Sequence, residues 1–430
     1  MFKIQKKKYY KITFEPASPL AVGSGENRYT DSDIIKDSCG NPYIPASAIA
    51  GVQRALYEGE DENLYFGVIR KATGADHATS EEALDSRIIF YDAKMCNPAD
   101  DRYYVSKRDS VALDKYKAAV NGAKFDIEVL EPGVTMVTYM EENIEAGATS
   151  IADELAQRWL NEEVYFGAKT MRGYGAIKNV KVFVKEFDLS ERETALAWLD
   201  FDMYDEKAWA SGCTELVVEK TVKYEVAICL KQVGGISIRR YTTNVSTQDE
   251  TAPDYEQLTV HTKNANDKCV ELPVIPGTSW SGAFRHRMME LLPDIDENTY
   301  FGVAEKIEKK RSLIRFSETV LEGAKAKVLS RNSIDRFSAG TSNGALFTEK
   351  TYFGGTTTLK VSFTKCPDAK VKKAFAATVA DLNNGFLAVG GLTAVGRGLF
   401  TVEKIGETPV TEPDNIYDMV LASMDWEVAE

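Results

Sequence analysis

The sequence has no run approaching 18 consecutive apolar residues, so no stretch reads as a membrane-crossing helix and no membrane partner is expected. Histidine is scarce: His77, His261 and His286 are the three in 430 residues, and none is spaced with a cysteine or another histidine as a zinc site requires. The six cysteines (Cys39, Cys96, Cys213, Cys229, Cys269, Cys366) include no Cys-x-x-Cys pair. Without a signal segment they are expected to be reduced thiols of a cytoplasmic protein. The N-terminal MFKIQKKKYYKITF is basic but lacks the apolar centre and small-residue cleavage site of a leader, so it reads as a lysine-flanked first strand. There is no Gly-x-x-x-x-Gly-Lys-Ser/Thr loop, and the Gly-x-Gly turns precede strands, which excludes a dinucleotide fingerprint. An excess of positive charge is missing too. The 52 Lys and Arg against 65 Asp and Glu leave a net charge of −13, which argues against indiscriminate binding to phosphate backbones.

What the chain does have, it has twice. Pro42-Tyr43-Ile44-Pro45-Ala46-Ser47-Ala48-Ile49-Ala50-Gly51 with Arg54 recurs as Pro273-Val274-Ile275-Pro276-Gly277-Thr278-Ser279-Trp280-Ser281-Gly282 with Arg285. Leu64 to Val68 returns as Thr299 to Val303, Asn121 to Phe125 as Asn343 to Phe347, and Gly167 to Gly175 as Gly390 to Gly398. The four matches keep their order at separations of 231, 235, 222 and 223 residues, which marks two copies of one domain of about 200 residues. A chain of 430 residues, 44% of them hydrophobic, is long enough for two such cores. The expected division is a first domain at 1–186, an acidic linker with some helix at 187–220, a second domain at 221–408 and a C-terminal tail at 409–430.

Within each copy, apolar alternation and turn residues predict strand, helix, strands, helix, glycine turn and strand. The first strands are Tyr9 to Phe14 and Lys223 to Leu230, and the late helices Ile151 to Leu160 and Val371 to Asn383. This is an α+β class and a ferredoxin-like plan, whose open sheet face is a familiar RNA platform.

Four motifs carry candidate chemistry. The turns Gly173-Tyr174-Gly175 and Gly396-Arg397-Gly398 would let a phosphate approach backbone N–H groups, although a tight turn alone explains them as well. The Pro-x-Ile-Pro runs lock an extended entry, after which Ser47, and Thr278 or Ser279, are candidate N-caps. The helix starts, with Arg54 and Arg285 one turn further in, are candidate phosphate sites or plain helix entries. Asp31-Ser32-Asp33-Ile34-Ile35-Lys36-Asp37 suits loop solvation, a divalent cation or acid/base chemistry. The comparable loop of the second copy holds Asp254-Tyr255-Glu256 and His261, with no direct counterpart. Finally, Arg331-Asn332-Ser333-Ile334-Asp335-Arg336 with Phe337 offers arginines beside an aromatic, mirrored weakly at Arg108-Asp109-Ser110. It lies in a basic stretch from Lys306 to Arg336, with nine Lys and Arg against four acids.

Taken together these ordered motifs resemble the RAMP superfamily of CRISPR-associated proteins, in particular the repeating backbone subunit of type III effector complexes. The resemblance rests on the acidic loop, the I-P-x-S-x-x-x-G segment with its basic follower, the I-D-R segment and the closing glycine turn. It covers nearly the whole chain except 187–220 and the residues after about 408. It implies RRM-like domains with inserted thumb hairpins, a guide RNA (crRNA) held by its backbone, and target RNA and other CRISPR effector subunits as partners. In some members an Asp of the acidic loop cuts target RNA with a divalent metal, Mg or Mn. Carried over, the cutting residue and metal ligand is Asp31, with Asp33 as the alternative under a slip of the match. RNA-binding residues are then Ser47, Arg54, Lys169, Arg172, Gly173, Gly175, Thr278, Ser279, Arg285, Arg331, Arg336, Gly396, Arg397 and Gly398. The first copy looks better equipped to cut and the second, where I-D-R is intact, to grip.

Other readings stay open: a non-catalytic structural subunit, a stand-alone guide-processing endoribonuclease, or a protein with no RNA partner. The endoribonuclease is disfavoured, because such enzymes commonly use an N-terminal-domain histidine and only His77 precedes residue 261.

Overall fold

The computed structural model describes residues 4–25, 31–69, 83–97, 104–113, 119–219, 223–240, 253–263, 269–304 and 309–426. The chain divides into two compact units. The first comprises Met1–Lys107, Asp126–Thr170 and Gly175–Thr221; the second Arg108–Phe125, Met171–Tyr174 and Val222–Glu430. Two short pieces of the first sequence copy therefore belong to the second unit, a departure from the expected boundary at 186. Among the described residues no helix is long and apolar enough to cross a membrane.

The first unit is built on β1 (Ile4–Pro16), whose alternation sends Tyr10, Ile12 and Phe14 to one face and Tyr9 and Lys11 to the other. The small strands β2 (Gly23–Gly25) and β3 (Asp33–Ile34) pair in the following loop, and α1 (Ala46–Leu56) comes next. Then follow β4 (Ile88–Phe90), the hairpin strands β5 (Val105–Leu113) and β6 (Ala119–Leu130), of which Arg108–Phe125 belongs to the second unit, and β7 (Met136–Glu145). Helix α2 (Ala152–Leu160) precedes β8 (Ile177–Asp188). The main sheet is antiparallel in the order β8-β1-β7-β4, with Tyr10 opposite Met140 and Ile12 opposite Val182. Its core holds Phe14, Trp159 and Phe166, with the Trp159 ring 5.2 Å from Phe14 and 5.1 Å from Phe166. Fully burying side chains of this size stabilises by about 1.5–3 kcal/mol each.

The stretch expected as a linker is no linker. It carries α3 (Arg192–Leu199) and β9 (Thr214–Glu215), which pairs with β8. Its Trp198, Phe201 and Trp209 pack on Tyr9, Tyr139 and Phe187, the outward-facing residues of the same sheet. Trp198 Nε1 donates to the Tyr9 hydroxyl at 2.8 Å, and the Phe201 ring lies 5.1 Å from that of Tyr9. The sheet face expected to be open for RNA is thus covered in this unit, because tyrosine and phenylalanine on it demanded an apolar cover.

The second unit repeats the plan. Its main sheet contains β10 (Glu225–Val233), followed in the chain by the short strands β11 (Arg239–Arg240) and β12 (Tyr255–Gln257), then α4 (Gly277–Leu291) and β13 (Ile314–Phe316). A hairpin of β14 (Lys325–Ile334) and β15 (Thr341–Phe353) leads to β16 (Thr356–Phe363), α5 (Ala369–Asn383), β17 (Leu399–Ile405) and α6 (Ile416–Ser423). The order β17-β10-β16-β13 equals that of the first unit. Here the outward face is polar, with Lys231, Thr358 and Lys360 exposed. The stretch expected as a tail is part of this core: Ile416, Val420 and Met424 are fully buried. Its period of four residues aims one apolar stripe at α5.

Candidate nucleic-acid interface

The acidic loop of the first unit is fastened to the base of its hairpin. The Asp31 N–H donates to Asp126 Oδ1 at 3.0 Å, and the Asp126 N–H donates back to Asp31 Oδ2 at 2.8 Å. Ser32 then pairs in parallel with Ile127, and Lys107 makes an ion pair with Asp126. Asp31 is exposed, and its Oδ1 has no hydrogen-bond partner among the described residues. Asp33 lies in β3, paired to Gly25 and only partly exposed. Asp37 accepts the backbone N–H of Asn41 at 2.8 Å and of Cys39 at 2.9 Å. These bonds, that from Asn41 foremost, hold its carboxyl below the usual range and commit it to shaping the loop.

The second unit contains the same clamp. The Asp254 N–H donates to Thr348 Oγ1 at 3.2 Å, and the Thr348 N–H donates to Asp254 Oδ2 at 2.6 Å. Tyr255 then pairs in parallel with Glu349, as Ser32 does with Ile127. Asp254 is therefore the counterpart of Asp31, and Glu256 that of Asp33, where the sequence offered no direct match. The missed signal is a spacing: 95 residues separate Asp31 from Asp126 and 94 separate Asp254 from Thr348. The His261 side chain and His77 lie outside the described residues.

Among the described residues no three His, Cys, Asp or Glu side chains converge as a metal cage would require.

The Gly-x-Gly turns serve packing. Gly175 and Gly398 have φ of 77° and 74°, and a Cβ on either would strike the carbonyl of Phe166 or Val389. The Phe166 N–H donates to Gly175 O at 3.0 Å, and the Val389 N–H to Gly398 O at 2.9 Å. Gly173, counted in the second unit, lies against the backbone of Phe316 and Gly277, whereas the space around Gly396 is open. Lys169 is left-handed at φ 59°, and Arg172 is exposed.

The expected caps are not caps. Helices α1 and α4 start directly after Pro45 and Pro276, with no side-chain cap from Ser47, Thr278 or Ser279. Asp92 Oδ1 accepts the Ala46 N–H at 2.8 Å, so a carboxylate already occupies the place foreseen for a phosphate.

Several expected phosphate ligands are held by glutamates. Arg54 pairs with Glu62 and also donates to Asn63 Oδ1 at 2.9 Å; Arg285 pairs with Glu297 at 2.5 Å. Arg397 and Glu349 form a buried pair at 2.5 Å, and Arg331 reaches the same Glu349 oxygen at 3.2 Å. Arg397 thus joins the glycine turn to the hairpin, whereas Arg54 and Arg285 tie their helices to the short helical turns Glu62–Phe66 and Glu297–Phe301. At the hairpin tip Asp335 accepts the N–H of Phe337 at 3.0 Å and of Ser338 at 2.7 Å, which lowers its pKa, the Ser338 bond most. Phe337 is 91% exposed beside Arg336, so the I-D-R segment builds a projecting tip. Arg108, its weak mirror, is buried on Glu318, donating through Nη1 at 2.5 Å and Nη2 at 3.0 Å.

The sequence model of the RAMP superfamily matches residues 13–178 and 259–401, more than half of the chain and one stretch in each copy. No curated protein matches it.

Proposed function

This chain belongs to the RAMP superfamily, and from that premise we propose that it is a guide-RNA-binding backbone subunit of a type III CRISPR effector complex, with target RNA and further effector subunits as partners. The observation that carries this reading is the recurrence of the superfamily match in both copies. The duplicated clamp and the exposed hairpin tip with Arg336 and Phe337 support it. The test is to purify the chain from its cells and sequence the RNA it retains. Short RNAs of one repeat-derived class are expected; random fragments or no RNA refute the reading.

The same proposal gives Asp31 a part in cutting target RNA. Its support is an exposed aspartate fixed through Oδ2, whose Oδ1 has no hydrogen-bond partner among the described residues. In this reading Oδ1 takes the proton of a target 2′-OH, whose oxygen attacks the neighbouring phosphorus. The bond to the 5′-oxygen breaks, solvent protonates that oxygen, and a 2′,3′-cyclic phosphate and a 5′-OH remain. The non-catalytic reading is favoured by the clamp, which gives Asp31 a structural use. Asp31→Asn separates the two, because the amide keeps an oxygen for the Asp126 N–H and loses only the charge. A loss of about 10²–10⁴-fold at one set of cut sites, with target binding intact, is expected for a general base. Undiminished cutting assigns Asp31 to structure alone.

A further inference from the structure

The strand pair beside each clamp is built alike in the two copies and furnished differently. In the first, β2 is Gly23-Ser24-Gly25, and the residue after the clamp acid is Ser32. In the second, β11 is Arg239-Arg240, paired with Gln257 and Glu256, and the residue after the clamp acid is Tyr255. The Arg239 guanidinium lies over the Tyr255 ring, 3.9 Å from its centre. Phe347 of β15 meets the same ring edge-on, with centroids 6.4 Å apart. Arg239 and Arg240 are partly exposed, and neither makes an ion pair among the described residues. They differ in this from Arg54, Arg285 and Arg397, each of which is held by a glutamate.

A guanidinium resting over an aromatic ring is ordered before any ligand arrives. It offers a plane on which a base stacks, and its edge keeps N–H donors for phosphate. We propose that Tyr255, Arg239 and Arg240 form a contact for single-stranded RNA that the first copy lacks, with one base stacked on the Arg239 plane and the adjoining phosphate on Arg240. This rests on the reading of the chain as an RNA binder. Two cations without a carboxylate partner among the described residues, in a chain of net charge −13, single out a polyanion as the occupant, and the stacked plane singles out one that carries bases.

The test uses the full chain and fluorescent oligouridylate RNA, titrated at several salt concentrations, with thermal unfolding run on every variant. Arg239→Ala is expected to weaken binding about 5- to 150-fold, the effect of one lost stacked base. Arg239→Lys is expected to restore the salt slope while recovering little affinity, and on an abasic ribose-phosphate probe the Lys variant should equal the parent. Full recovery of oligouridylate binding by lysine overturns the stack, and unchanged affinity of Arg239→Ala overturns the site. Displacement of the RNA by polyglutamate at matched charge points to an acidic protein partner and also overturns it. If the parent chain binds no RNA, the RNA-binding reading itself falls; if the parent binds and the variants match it, only this contact falls.

Discussion

Replacing Gln53 with methionine is expected to stabilise the first unit. Gln53 lies on α1, is fully buried, and neither its Oε1 nor its Nε2 has a hydrogen-bond partner among the described residues. The repeat places it where the second copy has Phe284, a core residue whose ring lies 5.1 Å from Phe316 and 5.7 Å from Phe375. The surroundings of this helix position are thus apolar in the second copy, and the first copy places a buried amide there. An unsatisfied buried polar group costs about 1–3 kcal/mol, and Gln53 has two such atoms on one amide. Methionine matches glutamine in length and loses only the polar atoms, so the net gain is set at about 1–3 kcal/mol. For a unit of this size each kcal/mol corresponds to about 2–4 °C in Tm. Calorimetry of parent and Gln53→Met, with the transitions of the two units assigned separately, measures it. A loss of more than about 1 kcal/mol would refute the reasoning, because it requires the amide to be hydrogen-bonded, for instance to a buried water.

Burial foremost raises the Glu142 carboxyl pKa above its ordinary 4.5, although Ser150 and the Ile151 N–H donate to it. The folded state therefore keeps that proton longer than the unfolded chain, and this group's contribution to stability falls as pH rises from about 4.5 through the raised value. Glu142→Gln should remove that slope and gain on the parent above it, as read by urea unfolding between pH 4 and 7; parallel curves would count against it. Asp368 caps α5, accepting the Val371 N–H at 2.9 Å, and its lowered pKa means that its contribution is present above 3.8 and lost as pH falls through the folded value. Asp368→Ala should cost about 0.5–2 kcal/mol at pH 7 and less once the carboxyl is protonated. Arg397→Ala leaves Glu349 buried with Arg331 as its remaining ion-pair partner among the described residues, and should cost toward the lower end of about 3–5 kcal/mol in denaturant unfolding. A cost below about 1 kcal/mol would mean that the pair does not hold the turn to the hairpin.

Much of the fold was legible because its signals are local. Tyr10, Ile12 and Phe14 alternate as a strand must, and Pro45 and Pro276 mark helix entries within a residue of where α1 and α4 begin. Ser47 and Thr278 failed as caps because proline itself took the N-cap position, and Asp92, 46 residues away, supplied the acceptor for α1. The segment after residue 187 was read from its acidity, yet its fate followed from Trp198, Phe201 and Trp209, whose partners Tyr9 and Tyr139 stand far back in the chain. The residues after 408 follow the same rule, since a single apolar stripe of two turns gains meaning only beside α5.

By itself, the sequence determined the duplication, the element order and the acidic loop, since repeats, periodicity, proline and glycine act within a few residues. Only the tertiary structure decided which charges are spoken for. Arg54, Arg285 and Arg397 look alike in sequence to Arg239 and Arg336, but Glu62, Glu297 and Glu349 come to the first three through the fold. The pairing of Asp254 with Thr348 likewise required strands 94 residues apart to meet. An ion pair or a clamp depends on distance in space, and for residues this far apart along the chain that distance is set by the packing of sheet, helix and hairpin.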